Sequence, residues 1–250
     1  MRIDIVTIFP EPIATMLGHS IIGRARERGH IEVNVHDLRD WTTDKHRSTD
    51  DYPFGGGPGM VMKPEPVGAA IDALKTESGT KRTIFPTPQG TPLTHALVEE
   101  LAAEDGLIVV CGHYEGLDER ARKAVITDEI SVGDYILTGG ELPALIITDA
   151  VARLQPDVLG SLASADEESF ADGLLEHPHY TRPREFRGMG VPDVLLSGHH
   201  EEIRKWKRRE SLRRTWERRR DLLQQADLDE DDIAFLKELE ATASDTTGDT

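Results

Sequence analysis

The chain has 250 residues, of which 38% are hydrophobic and 30% are charged. That length allows one or two domains with a sizeable buried core, so we expect a globular protein. The longest uninterrupted apolar run, Leu107 to Cys111, is far shorter than the roughly 20 residues of a membrane helix, and the N-terminal segment lacks the hydrophobic region of a signal peptide. These features predict a cytoplasmic protein with no membrane partner.

The single cysteine, Cys111, has no second cysteine with which to form an internal disulfide. Neither CxxC nor HExxH occurs, which excludes a disulfide scaffold and a zinc finger. The histidines show no spacing typical of metal ligands, so we expect no metal site. The histidines considered are His113, His177, His179, His199 and His200.

The formal net charge of −17 argues against a nucleic-acid partner, because affinity for nucleic acid comes largely from Lys and Arg neutralising phosphates. The charge is unevenly distributed, however. From Ile203 to Arg220 ten basic residues accompany only Glu210 and Glu217. The last 25 residues carry nine carboxylates and one lysine, and we expect residues 243–250 to form a disordered tail.

The N-terminal part alternates β-branched runs with helical patterns, which is typical of a parallel α/β fold. A polar segment over residues 160–173 indicates a linker. After it we predict a helical domain whose inner face is formed by Trp206, Leu212 and Trp216. Periodicity alone favours an ordinary doubly wound sheet, because connections that thread loops are essentially absent from proteins. The predicted strands are 3–9, 31–38, 82–85 and 107–111, and the predicted helices are 13–28, 65–74, 93–103 and 142–154.

Three loops that contain glycine follow strand-like runs, at residues 87–90, 111–116 and 131–143. In an open α/β sheet ligands bind at the carboxyl ends of the strands, so we expect the loops to converge on one site. Glu115 and Asp134 would make that site acidic and suited to a cationic ligand. For each loop taken alone, a simple chain turn is the alternative.

The most glycine-dense segment is DDYPFGGGPGMVM, residues 50–62. No Lys-Ser or Lys-Thr follows at the spacing of a P-loop, and Met62 stands where GxGxxG requires a third glycine. Nucleotide hydrolysis by a P-loop is therefore disfavoured. The segment is interpreted either as a mobile surface loop or as a lid that faces RNA.

Two further features are compatible with acid–base chemistry. The run Asp166-Glu167-Glu168 contains a base or is a solvated part of the linker. Arg153, at the end of an apolar helix, stabilises a developing anion or caps the helix.

Longer motifs resemble one known family. In order and at the family's spacing, from Met1 to about Leu223, the chain is similar to the bacterial tRNA (guanine-N1)-methyltransferases of the SPOUT class. The motifs that carry the resemblance are HRSTDDYPFGGGPGMVMKPEP, CGHYEGLDER, SVGDYILTGGELPA, HPHYTRP and VPDVLLSGHHEEIRKWKRRESLRRT.

The resemblance implies an α/β SPOUT domain with a parallel sheet over residues 1–160, whose cofactor loops form a deep trefoil knot. It further implies a linker over 161–174 and a small C-terminal helical tRNA-binding domain over 175–242. The implied enzyme is a homodimer with composite active sites. Its implied reaction transfers a methyl group from S-adenosylmethionine to N1 of the guanosine immediately 3′ of the tRNA anticodon.

Residue roles follow from the same resemblance. N1 of guanine carries a proton at neutral pH, so a base must remove it while a cation stabilises the charge on O6. The base position falls on Glu168, where the family has Asp, and the cation is Arg153. His113 stands where the family has Arg. The predicted cofactor residues are Thr87, Pro88, Gly112, Tyr114, Glu115, Val132, Gly133, Asp134, Tyr135, Ile136, Leu137, Gly139, Gly140 and Pro143.

A guanosine in the anticodon loop exposes N1 only when it is splayed out, so we expect the enzyme to flip it and to hold the anticodon arm by its phosphates. Without the resemblance, a solvated helix face is the alternative for the basic segment. Two other functions remain as alternatives: a non-catalytic RNA-binding protein, and a methyltransferase acting on a different RNA position. The predicted RNA contacts are Asp50, Arg204, Lys205, Lys207, Arg208, Arg213 and Arg214.

Overall fold

The structure, a computed structural model, describes residues 1–159 and 168–246. The chain divides into two compact units, Met1–Ser161 and Leu162–Thr250. Two members of the predicted acidic run, Asp166 and Glu167, lie outside the described residues, as does most of the predicted linker.

The first unit is built on a five-stranded sheet. Its strands are β1 (Arg2–Thr7), β2 (Glu32–Asp37), β5 (Arg82–Pro92), β6 (Gly106–Val110) and β7 (Asp128–Ser131), and a separate ribbon pairs β3 (Asp50–Asp51) with β4 (Val61–Met62). The strand order is β2-β1-β6-β5-β7, and every pairing in this sheet is parallel. The predicted parallel α/β fold is therefore confirmed.

Helices cover both faces of this sheet. They are α1 (Pro10–Leu17), α2 (Ser20–Glu27), α3 (Pro64–Ser78), α4 (His95–Ala102), α5 (Glu119–Val125) and α6 (Glu141–Ala152). On β6, Leu107 and Val109 pack in the same core layer as Ile147 of α6, whereas Ile108 packs with Ile71 of α3 in the other. A parallel strand that is buried on both faces reads as a continuous apolar run, which explains why β6 was evident in the sequence.

The prediction of one helix over 13–28 is wrong. The chain forms two short helices instead, and it turns between them where Ser20 adopts a left-handed φ of 58°. The second helix lies very close to the first, since a Cβ on Gly23 would lie 2.5 Å from the carbonyl oxygen of Gly18. The apolar spacing of the segment survives this break, so periodicity alone did not reveal it.

Strand β5 extends well beyond the predicted 82–85. Its register with β7 shifts between Pro86 and Thr91, so the predicted loop over 87–90 is an irregularity within the strand. Pairing resumes because Gly90 lies against the backbone of Glu129 and Ile130, where a side chain would collide.

The second unit is mainly helical. The unit has a hairpin of two short strands, β8 (Glu185–Phe186) and β9 (Met189–Gly190). Three helices follow the hairpin: Asp193–Leu196, His200–Arg218 and Glu230–Thr246. We call His200–Arg218 the basic helix and Glu230–Thr246 the terminal helix. No described helix is long and apolar enough to cross a membrane.

The core of the second unit differs from the prediction. Leu212 is buried with Leu174 and Phe235, but Trp206 and Trp216 are only half-buried. The wholly buried Thr215 completes the inner face instead, and its hydroxyl accepts a hydrogen bond of 2.8 Å from the Leu175 amide.

Both ends of this unit reach further than the sequence patterns indicate. Leu174, assigned to the linker, belongs to the core of the helical unit. The terminal helix continues through residues 243–246, within the segment where a disordered tail was expected, and residues 247–250 lie outside the described chain.

A buried carboxylate, Asp4, links the first two strands of the sheet. Arg2 Nε and His36 Nε2 each lie 2.8 Å from its oxygens, and Asn34 Nδ2 donates to it at 3.3 Å. Burial by itself raises the pKa of Asp4, but the hydrogen bonds from His36 and Arg2 outweigh it and hold the pKa below its ordinary value. The ionised carboxylate therefore stabilises the fold.

We expect Asp4→Ala to lower the free energy of unfolding by about 3 kcal/mol, because breaking a buried charge network leaves its other members unsatisfied. Urea denaturation measures this value, and Asp72→Ala, at an exposed position on α3, should change it by less than about 0.5 kcal/mol. Since the pKa is lowered by folding, the stabilisation is complete above about pH 4 and is lost as the pH falls through the folded value. If the difference in the free energy of unfolding between the wild type and Asp4→Ala did not become smaller at low pH, this account would be contradicted.

Candidate functional site

The carboxyl ends of three neighbouring strands, β6, β5 and β7, open into one pocket of about 360 Å³. Its walls come from residues 85–89, 112–116, 130–133 and 135–140 together with Pro143. Asp134 does not line the pocket. The three predicted loops therefore do converge, and every predicted cofactor residue except Asp134 lines the pocket.

Glycine allows two of these loops to lie against each other. The Gly140 amide donates a hydrogen bond of 2.7 Å to the Gly112 carbonyl. A Cβ on Gly140 would lie 2.5 Å from the Gly112 nitrogen and 2.8 Å from Cys111 Cα. Because these are backbone atoms that cannot rotate away, the contact requires glycine at this position.

The glycine-dense segment 50–62 adjoins the pocket. Its Met60 carbonyl accepts a hydrogen bond from the Glu115 amide, and its Met62 amide donates to the Gly116 carbonyl, both at 2.9 Å. Gly59, with φ 87°, packs directly against the Glu115 side chain. Phe54 is 98% exposed. These contacts fix the C-terminal end of the segment beside the pocket, and the choice between a surface loop and a lid that faces RNA stays a prediction.

Tyr114 lies where the pocket meets this segment and has a φ of 59°. Burial, followed by the neighbouring Asp50 carboxylate, raises the pKa of Tyr114. Asp50, predicted to contact RNA, therefore lies close to a pocket residue. Burial and then the nearby Glu141 raise the pKa of the Cys111 thiol, so Cys111 is not a reactive nucleophile.

The cofactor residues predicted from the sequence leave out eight residues that line the pocket, and these are Phe85, Pro86, Gln89, His113, Gly116, Ile130, Ser131 and Thr138. The His113 ring makes edge contacts with the rings of Phe9 and Tyr114, at centroid distances of 5.1 and 4.9 Å. Phe85 packs on Gly112. All eight lie within the three predicted loops or no more than two positions from them, and that proximity was the available signal.

The two predicted catalytic residues lie in different units. Arg153 caps the carboxyl end of α6, where its amide donates to the Asp149 carbonyl at 3.1 Å, and its side chain is half-buried. Glu168 is half-buried in the second unit, and its carbonyl accepts from the Ala171 amide at 3.3 Å.

The predicted phosphate contacts on the basic helix have unequal surroundings. Arg204 and Lys205 are exposed and lie 2.9 and 3.8 Å from Glu201. Arg208 instead faces inward, with its guanidinium 2.7 Å from the buried Asp232 and 2.6 Å from Asp172. The Asp232 hydrogen bond is the main cause that raises the pKa of Arg208.

The other predicted contacts on this helix, Lys207, Arg213 and Arg214, are half-buried. Arg213 pairs with Glu210 and lies 5.5 Å from the centre of the Phe235 ring. Arg209, which was not predicted, is exposed and lies 5.3 Å from the same ring. The helix thus presents cations to solvent at its exposed positions, whereas Arg208 forms ion pairs within the second unit.

The sheet and its pocket define an α/β protein with a pocket of ligand size at the carboxyl ends of parallel strands. Comparison with known proteins is more specific. Residues 1–225 match the family described as tRNA (Guanine-1)-methyltransferase TrmD. The chain belongs to this family and is a methyltransferase.

Similar proteins cover nearly the whole chain. The tRNA (guanine-N(1)-)-methyltransferase of Pelotomaculum thermopropionicum is 56% identical over 247 residues, which are 98% of each chain. That of Moorella thermoacetica is 54% identical over 249 residues, 99% of this chain and 100% of the relative. That of Geotalea uraniireducens is 55% identical over 243 residues, 97% of this chain and 98% of the relative.

Proposed function

We propose that this methyltransferase transfers a methyl group from S-adenosylmethionine to N1 of the guanosine immediately 3′ of the anticodon in tRNA. The observation that carries the proposal is the pocket at the ends of β6, β5 and β7, because the motifs of the resemblance supply most of its walls. The names of the relatives support guanine N1 as the acceptor.

The pocket residues fit such a methyl donor. A volume of about 360 Å³ lies in the range of pockets that enclose small ligands. Gly139 leaves space that a Cβ would fill, against Glu141 and 2.8 Å from His113 Nδ1. Glu115 adds negative charge suited to a sulfonium. When bound, the donor supplies an electrophilic methyl group.

The residues of the chain then have distinct roles. Glu168 removes the proton from guanine N1, which frees the nitrogen lone pair for methylation. Arg153 stabilises the negative charge that develops on O6. The cations of the basic helix other than Arg208 hold the phosphates of the anticodon arm, while the target base is splayed into the site.

We also propose the knotted topology and the homodimer that the resemblance implies. Apolar side chains on α1 and α6 support the dimer: Met16 is 62% exposed, Leu142 57% and Ile146 43%. The two helices share one core through Ile13 and Ile147, and a second copy of the chain would cover this apolar face.

Isothermal titration of S-adenosylmethionine, followed by mass spectrometry of nucleosides from incubated tRNA, tests the proposal. Saturable binding that is weakened by Glu115→Ala, together with new 1-methylguanosine, is the expected result. Donor binding with methylation elsewhere in the RNA would instead identify a different acceptor position. If the donor did not bind, the three loops would be simple chain turns without a binding role, and the proposal would be overturned.

RNA binding should weaken steeply with salt, since each phosphate contact releases counterions. We expect the double substitution Arg213→Ala and Arg214→Ala to reduce the slope of log K against log salt by roughly two contacts. Filter binding at several salt concentrations measures the slope. Arg24→Ala with Arg28→Ala removes the same charge from exposed positions on and just after α2. If both double variants changed the slope of log K against log salt equally, the basic helix would not be the specific RNA contact.

A further inference from the structure

Three side chains with metal-ligand chemistry lie together in the second unit, and none of them has a role in the proposed function. Glu176, His177 and His179 each offer one ligand atom, and these atoms all lie within 4.8 Å of one another. Pro178 between the histidines favours an extended backbone for the residue before it. The two imidazole rings are 4.6 Å apart, centre to centre. The spacing of the histidines in the sequence does not by itself predict this cluster.

His177 is the unusual member of this cluster, because it is 7% exposed and incompletely hydrogen-bonded. Its Nδ1 lies 3.2 Å from the Pro178 carbonyl oxygen. A carbonyl only accepts, so Nδ1 carries the proton and Nε2 has the lone pair. Nε2 is buried and has no hydrogen-bond partner among the described residues. A buried acceptor without a donor is costly, and a cation would satisfy it.

The charges around the cluster are mixed, since Lys207 is a nearby cation and Glu176 a nearby carboxylate. A histidine ligand commonly donates its second ring N–H to a backbone carbonyl, as the Nδ1 of His177 does to Pro178.

The distances are compatible with coordination after small movements. His179 Nε2 lies 2.7 Å from Glu176 Oε1, whereas bond lengths of about 2.0 Å in a tetrahedron place ligand atoms roughly 3.3 Å apart. His179 is exposed and free to make this adjustment by side-chain rotation. Lys207 is the cation that opposes binding, and the carboxylate of Glu176 offsets its charge.

We propose that Glu176, His177 and His179 form a zinc site, with a fourth position open to water. Two imidazoles and one carboxylate are a ligand set of zinc sites. Magnesium prefers oxygen ligands in an octahedron and is a poor match. The site lies beside the basic helix, since the His177 and Tyr180 rings are 6.5 and 6.2 Å from the ring of Trp206. Zinc would therefore fix the segment 176–180 on this helix.

Calorimetric titration of zinc into the full-length chain without a polyhistidine tag tests the site. We expect one zinc ion per chain, and a loss of affinity of about tenfold or more in His179→Ala and in Glu176→Gln. His200→Ala removes an exposed histidine from the first turn of the basic helix and should bind zinc like the wild type. The absorption spectrum of the cobalt-substituted protein reports the coordination geometry independently of methylation.

Further outcomes decide between this site and adventitious binding. His177→Ala removes a buried ring and is prone to unfold, so the exposed His179 supplies the decisive variant, with circular dichroism to verify its fold. Zinc should raise the Tm of the wild type but not of His179→Ala. Absence of saturable binding by the wild type, equal affinity in His179→Ala, or equal loss in His200→Ala would each overturn the proposal. An excess of magnesium should not displace the zinc.

Discussion

Replacement of Gly140 by alanine should lower the affinity of the chain for S-adenosylmethionine by roughly 100-fold, equivalent to about 3 kcal/mol of overpacking. The added Cβ would lie 2.5 Å from the Gly112 nitrogen and 2.8 Å from Cys111 Cα. The two loops would have to separate, and the hydrogen bond from the Gly140 amide to the Gly112 carbonyl would be lost. Isothermal titration of the donor measures the effect.

Gly68→Ala is the matched control for this prediction. Gly68 lies within α3, and no described atom beyond its chain neighbours and the backbone of its own helix is within 4 Å of the position of an added Cβ. We expect unchanged donor affinity and a stability gain of about 1 kcal/mol, because alanine is the better helix former. Wild-type affinity in Gly140→Ala would show that close contact between the loops is not needed for donor binding.

The second large effect is expected at Glu168. Glu168→Gln keeps the size of the side chain but removes the base, so kcat for methylation should fall by about 10²- to 10⁴-fold. Donor affinity should not change, because the proposed role of Glu168 concerns the guanine proton. Single-turnover kinetics with tRNA, together with titration of the donor, separates these two quantities.

Two variants make the Glu168 result interpretable. Glu168→Asp restores the residue that the family has at this position and should keep or raise the rate. Glu185→Gln removes an exposed carboxylate from the β8–β9 hairpin of the same unit and should leave the rate unchanged. If Glu168→Gln were as active as the wild type, the base would have to be another group, and Asp166 and Glu167 would be the next candidates.

Local patterns predicted most of the first unit. Buried parallel strands such as β6 are continuous apolar runs, and they appeared in the sequence at nearly their final bounds. By contrast, the predicted elements give no bounds for α5 or β7, because ERARKAV and DEIS are short and rich in charge. The break between α1 and α2 was also missed, since it leaves the apolar spacing unchanged.

Site residues could be predicted where they lie together in one continuous sequence motif. Glycine-bearing loops after strands indicated the pocket, because the carboxyl ends of parallel strands meet at one edge of a sheet. The family motifs then supplied residue roles that composition and spacing do not provide. Phe85 was not predicted as a site residue, because its place in the pocket depends on a contact with the distant Gly112.

The sequence by itself determined the family, the parallel α/β class, the glycine-bearing loops and the basic segment, because each of these depends on residues that are close together in the sequence. Only the tertiary structure decided how distant groups combine. It directs Arg208 inward to Asp232, 24 positions away, and brings Gly140 against Gly112. Among the residues that the structure describes, it also leaves the buried His177 without a donor for Nε2. These features arise from packing between segments far apart in the chain, which no local periodicity encodes.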